Sequence, residues 1–95
     1  MALSLDSIVI ASPDQVSSDL AGETVLLSMT SAKYYGFAGV GSRIWELVAS
    51  PTRVRDICDT ISAEFDVSRD ECETDVLGFL GACIERGLVE VRSGA

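Results

Sequence analysis

Lys33-Tyr34-Tyr35-Gly36-Phe37-Ala38-Gly39-Val40-Gly41-Ser42-Arg43-Ile44-Trp45-Glu46-Leu47-Val48 is where the chain changes its period. Lys33 to Phe37 is rich in aromatic residues, which favour a strand. After Gly39 the apolar residues fall at Val40, Ile44, Leu47 and Val48, spaced i, i+4, i+7 and i+8, which is one face of a helix over about residues 39–49. Trp45 flanks that stripe and is expected to pack against a sheet. Everything before this junction reads as strands, and everything after it as helices.

Working back, Thr24-Val25-Leu26-Leu27-Ser28-Met29 is a strand that forms a hairpin with Lys33–Phe37 through a turn at Thr30-Ser31-Ala32. Gln15 to Leu20 is a polar edge segment, followed by a turn at Ala21-Gly22-Glu23. Ile8-Val9-Ile10-Ala11 is a short β-branched run ended by the turn signal Ser12-Pro13-Asp14. Working forward, Ser50-Pro51-Thr52 closes the first helix and opens the second, with Pro51 suited to a first helical turn. The second helix covers about residues 53–65, with the stripe Val54, Ile57, Cys58, Ile61 and Phe65. Ser68-Arg69-Asp70-Glu71 is a capping box opening a third helix that runs to about Arg86. Its stripe is Cys72, Val76, Phe79, Leu80, Cys83 and Ile84, and Gly87 is a natural C-terminal cap. Leu88-Val89-Glu90-Val91-Arg92 is a final strand before a polar tail. The expected fold is α+β: an N-terminal three-stranded antiparallel sheet, three helices and a short C-terminal strand, the grammar of a winged helix-turn-helix. Ninety-five residues make one domain over residues 1–95.

Composition narrows the function. The chain contains no His, which removes the commonest general base and metal ligand. The Cys residues, 58, 72 and 83, are odd in number and lack metal-ligand spacing, so they read as buried reduced thiols. No catalytic set, metal site or cofactor is expected. The net charge of −8 repels a phosphate backbone, and the second half, which would hold any DNA-reading helices, has ten acidic residues against five basic ones. Nucleic acid is therefore excluded as a partner. An acyl carrier needs an Asp-Ser-Leu-like motif opening a helix; Asp6-Ser7-Ile8 instead opens a strand. No apolar run is long enough to span a bilayer, and the N-terminus lacks the cationic start of a secretory signal, so the expected location is the cytoplasm.

Two features stand out as a binding site. One is Lys33, Tyr34, Tyr35, Gly36 and Phe37. These aromatics either fill the core or belong to an edge strand left free to pair, since after Lys33 the strand lacks the charge or proline that usually protects an edge. Tyr34 and Tyr35 point to opposite faces, so one of them lines any groove. The other feature is the third helix, where Thr74, Gly78, Gly81, Ala82 and Glu85 cluster away from the core stripe. Small residues there either admit another element of the chain or floor a groove, with Asp75 and Phe79 at one margin of that face and Leu77 at the other.

In this order and spacing, Lys33–Phe37, Gly41–Val48 with its Ile44-Trp45-Glu46-Leu47, Val54-Arg55-Asp56-Ile57, and Asp75-Val76 through Phe79-Leu80 to Gly87-Leu88-Val89 resemble the PqqD-like family. The resemblance spans about residues 8–91. It implies a recognition element for the leader of a ribosomally synthesised precursor peptide, of the stand-alone kind found in lasso-peptide biosynthesis. It implies that the leader adds as a strand beside Lys33–Phe37 and lies against the third helix; on that mode of binding, Asp75, Phe79 and Ala82 are the residues expected to form the helix wall. It implies as partners a leader peptidase and a cyclase of the same pathway. Ala38 stands where the family commonly has Asn, and Arg53 where it has a capping Thr. An acidic winged-helix adaptor that binds a folded protein is the alternative, and a free edge strand leaves both monomer and edge-paired homodimer open.

Overall fold

The structure, a computed structural model, describes residues 3–13, 15–20, 23–29 and 32–92. Met1-Ala2, residues 93–95, and Asp14, Ala21-Gly22 and Thr30-Ser31 of the expected turns lie outside them. The element order is β1 (Ile8–Ala11), β2 (Gln15–Leu20), β3 (Glu23–Ser28), β4 (Tyr34–Ala38), α1 (Val40–Leu47), β5 (Thr52–Arg53), α2 (Val54–Glu64), α3 (Arg69–Glu85) and β6 (Val89–Arg92). This is an α+β fold with a three-stranded antiparallel sheet, three helices and a C-terminal strand, an arrangement compatible with a winged helix.

Two antiparallel sheets divide the strands. β2, β3 and β4 form one, in that order, and β1 lies between β5 and β6 in the other. The polar edge segment Gln15–Leu20 is thus a full strand, paired with β3 from Gln15↔Ser28 to Leu20↔Glu23. The run Ile8–Ala11 joins the opposite end of the chain instead, through Val9↔Val91 and Ala11↔Val89. Its partners are distant in sequence, so no local pattern marks them. The expectation for Pro51 needs a correction. Pro51 precedes the short strand β5, whose Thr52 pairs with Val9, and α2 starts only at Val54. Thr52 acts on the previous helix: its hydroxyl donates to the carbonyls of Leu47 (2.7 Å) and Ser50 (2.9 Å).

Both ends of α3 follow the expected chemistry. The Ser68 hydroxyl accepts from the backbone N–H of Glu71 at 3.2 Å. At the far end Gly87 takes φ 75°, its N–H donates to the Ile84 carbonyl (3.0 Å) and the Leu88 N–H donates to that of Cys83 (2.9 Å). This paired closure reverses the chain into β6 and seats Leu88 in the core. The core gathers the helix stripes with one face of each sheet: Ile44, Trp45 and Val48 from α1, Val54, Ile57, Cys58 and Ile61 from α2, Cys72, Val76, Leu80 and Cys83 from α3, and Val9, Leu26 and Val89 from the strands. All three thiols are free and buried, and burial pushes those of Cys58 and Cys83 up to about 11.

Candidate functional site

The hairpin of β3 and β4 closes through a tight connection. The Ser28 N–H donates to the Lys33 carbonyl at 2.9 Å, and the Ala32 N–H donates to the Ser28 carbonyl at 2.8 Å, with Ala32 held at φ 55°. The ladder continues with Leu27↔Tyr34, Leu26↔Tyr35, Val25↔Gly36 and Thr24↔Phe37. Because Ser28 and Lys33 are a hydrogen-bonded pair, alternation assigns Tyr35 and Phe37 to the bonded positions facing β3. The N–H and C=O groups of Tyr34, Gly36 and Ala38 therefore point away from β3. β4 ends its sheet, and among the described residues nothing pairs with that outer edge. A Cβ at Gly36 would meet open space.

Side chains alternate across β4 in the other sense. Tyr34 is 73% exposed on the outer face of the sheet, whereas Tyr35 and Phe37 are half-buried against the core. Tyr35 is thus the tyrosine on the helix side. Phe37 stacks edge-on against Phe79 of α3, with ring centroids 4.9 Å apart, and lies 6.0 Å from Trp45 of α1. Gly41 makes room for this cluster: a Cβ there would lie 3.1 Å from the Phe79 ring. About two turns beyond Phe79, the Arg86 guanidinium sits over the Tyr35 ring, 5.7 Å from its centroid. Progress from Tyr35 to Phe37 thus matches progress from Arg86 back to Phe79, so β4 and α3 run antiparallel.

Asp75, Phe79, Ala82 and Arg86 are spaced i, i+4, i+7 and i+11, a single stripe of α3, and the contacts of Phe79 and Arg86 turn that stripe toward β4. Ala82 is half-buried and Asp75 exposed. The structure therefore brings Tyr35, Phe37, Phe79 and Ala82 to one face, with Asp75 at its far end, and sends Tyr34 to the other side of the sheet. Gly78 and Gly81 behave differently. Among the described residues neither is closely approached by another element, since a Cβ at each meets nothing within 4 Å. The reading in which they admit a second element of the chain is overturned.

Arg86 and Gly41 are the residues of this face that sequence reasoning missed. Their signals were present: Arg86 is seven residues from Phe79 and four from Ala82, and Gly41 lies one residue into α1 opposite the aromatic strand. Four of the seven basic residues are engaged elsewhere. Arg43 pairs with Glu64 (2.9 Å) and Glu46 (3.5 Å), Arg55 with Asp6 (2.7 Å), and Arg69 with Asp59 and Glu73 (2.8 Å), while Arg53 donates to the Asp6 carbonyl. The guanidinium hydrogen bonds hold the carboxyls of Asp6 and Glu64 below their ordinary range. Among the described residues no group of three or more Cys, Asp or Glu side chains could hold a metal ion, and no helix is long and apolar enough to cross a membrane.

A search of curated protein sequences found no match. Among solved structures, the fold is similar to TbiB1 in complex with the TbiA(beta) leader peptide, with a TM-score of 0.81 and 38% identity over 85% of this chain and 94% of that one. It is also similar in fold to lasso peptide synthetase B1 complexed with the leader peptide, with a TM-score of 0.77 and 18% identity over 86% of this chain and 96% of that one. The profile of the family described as Coenzyme PQQ synthesis protein D (PqqD) matches residues 23–89, from the first residue of β3 to the first of β6. That stretch holds β4, α1 and α3 together, and the chain belongs to the PqqD family.

Proposed function

We propose that this protein is a non-catalytic recognition element that binds the leader of a ribosomally synthesised precursor peptide in lasso-peptide biosynthesis. It acts in the cytoplasm and delivers the leader to a leader peptidase, with a cyclase acting later in the same route. The observation that carries this reading is the 38% identical relative, alike over nearly the whole chain and solved with a leader peptide bound. The open edge of β4 supports the mode of binding. The leader adds as a strand to Lys33–Phe37, bonding to the outward groups of Tyr34 and Gly36, and its side chains meet Tyr35, Phe37, Asp75, Phe79 and Ala82. Four to five strand hydrogen bonds contribute roughly 0.5–1.5 kcal/mol each. Two buried apolar anchors contribute roughly 1.5–3 kcal/mol each. Ordering the peptide offsets part of this, leaving about −8 kcal/mol, or about micromolar affinity. Catalysis by the pathway gains from the raised local concentration of substrate at the partner enzyme.

The test is a titration of leader peptides, taken from precursor genes beside this one, followed by amide NMR shifts. Saturable binding with shifts in residues 33–37 and 75–86 is the expected result. Phe79→Ala and Asp75→Arg should each weaken it, Phe79→Ala by about tenfold or more. Unchanged binding in both folded variants sinks the assignment of the helix wall.

A second reading, an adaptor docking a folded protein, is favoured by one observation. Val16, Leu27 and Tyr34 form a cross-strand row on the outer sheet face, with Met29 beside it, and Val16, Met29 and Tyr34 are exposed. Val16→Ser with Tyr34→Ser separates the readings. Loss of partner-protein capture in a variant that never binds leader would establish the adaptor.

A further inference from the structure

Two cations of this acidic chain belong to one end of the β4–α3 face, Arg86 by its contact with Tyr35 and Lys33 by its place two residues before Tyr35. Lys33 and Arg86 form no ion pair among the described residues, although acidic residues outnumber basic ones 15 to 7. Lys33 continues the alternation of Tyr35 and Phe37, so its side chain leaves the strand on their side. The Arg86 guanidinium carbon lies over the Tyr35 ring, 5.7 Å from its centroid, within cation–π range. With no ion pair to occupy it among the described residues, its fork of N–H donors is available, and that fork matches a carboxylate. The opposite end of the same stripe carries Asp75, about 16 Å away along the helix axis. The face is therefore polarised, cationic at the Arg86 end and anionic at the Asp75 end.

We infer that Arg86 and Lys33 read an acidic side chain of the bound peptide. The inference rests on the peptide-binding reading and names the chemistry that reading leaves open. An apolar residue of the peptide anchors over Phe37 and Phe79. Because alternate residues of a strand share a face, an Asp or Glu two or four positions from that anchor meets Arg86 and Lys33. The wider field of the protein repels anions. Selection of an acidic residue must then come from these local cations, and reversing one of them removes it.

The experiment selects a random peptide library displayed on phage against the wild-type protein and against Arg86→Glu and Lys33→Glu. Both side chains are exposed, so the variants are expected to fold. Wild-type binders should share an Asp or Glu at the stated offset from an apolar residue. Converting that acid to its amide in a synthetic consensus peptide should cost about tenfold in affinity for the wild type and little for Arg86→Gln. Selection on the reversed variants should replace the acid with Lys or Arg. Peptides that depend on Phe79 yet show no acidic position, or whose consensus survives both reversals, overturn the charge inference and leave the peptide groove standing. Recovery of no peptide whose binding depends on Phe79 overturns both.

Discussion

Ala32 illustrates how one residue sets the geometry of the candidate site. It closes the β3–β4 hairpin in the left-handed region at φ 55°, where its Cβ crowds the following carbonyl. Glycine adopts that conformation without the clash but loses more freedom on folding. Ala32→Gly should therefore stabilise the protein by about 0.5–1 kcal/mol, seen as a higher urea midpoint at unchanged m-value. A lower midpoint would mean that the turn is less constrained than its dihedral indicates. Gly39, at φ 60° and ψ −123°, is the converse case, a conformation open to glycine at the strand-to-helix junction. That junction aims Phe37 at Phe79 and Trp45. The aromatic cluster was legible as residue types in the sequence, but the selection of Tyr35 over Tyr34 was not. Alternation makes the two tyrosines equivalent until the core occupies one side of the strand.

At the scale of the element, β4 is the decisive piece. Its inward backbone groups are used by β3, and those of Tyr34, Gly36 and Ala38 face outward. Gly36→Pro removes an outward N–H without touching the β3 ladder, a placement tolerated on an edge strand. Gly36→Ala keeps the N–H and fills open space. Leader binding should fall by about tenfold or more in Gly36→Pro and stay near wild type in Gly36→Ala, measured by peptide titration on variants with matched unfolding curves. Equal binding by both would rule out strand addition at this edge. The other working element, α3, was readable from its caps and core stripe. Its site face was readable only in part: Asp75, Phe79 and Ala82 stand at helical spacing, while Arg86 marked only the end of the helix in the sequence and joins the face through Tyr35 in the fold.

Across the whole molecule, ion pairs tie segments distant in sequence. Arg55 holds Asp6 of the N-terminal segment, and Arg43 of α1 holds Glu64 of α2. Both carboxyls titrate lower in the folded protein than their ordinary values of 3.8 and 4.5, chiefly through hydrogen bonds from the guanidinium groups. A depressed folded-state value means that the contribution is fully present above the ordinary value and is lost as pH falls through the folded one. Urea midpoints should thus be level from neutrality down to about pH 5 and decline below it, with a shallower decline in Asp6→Asn and Glu64→Gln. A decline of unchanged steepness in both variants would assign acid sensitivity to other carboxyls. These pairs are solvent-exposed, so the effect should shrink at high salt.

The identity of the longer elements, the caps of α3, the three-helix core and the lack of histidine chemistry all follow from short-range features of this chain. Periodicity, propensity and capping depend on residues within a turn or a strand pair of one another. Pairing partners do not. β1 joins β6 across nearly the entire chain, the two-residue β5 exists only because β1 lies beside it, and Arg86 finds Tyr35 through α3 doubling back along β4. Those contacts form when burial of a common core repays the entropy of closing long loops. That cost and its return belong to the folded molecule, so the open edge, the tyrosine that faces the helix and the cation above it appear only in three dimensions.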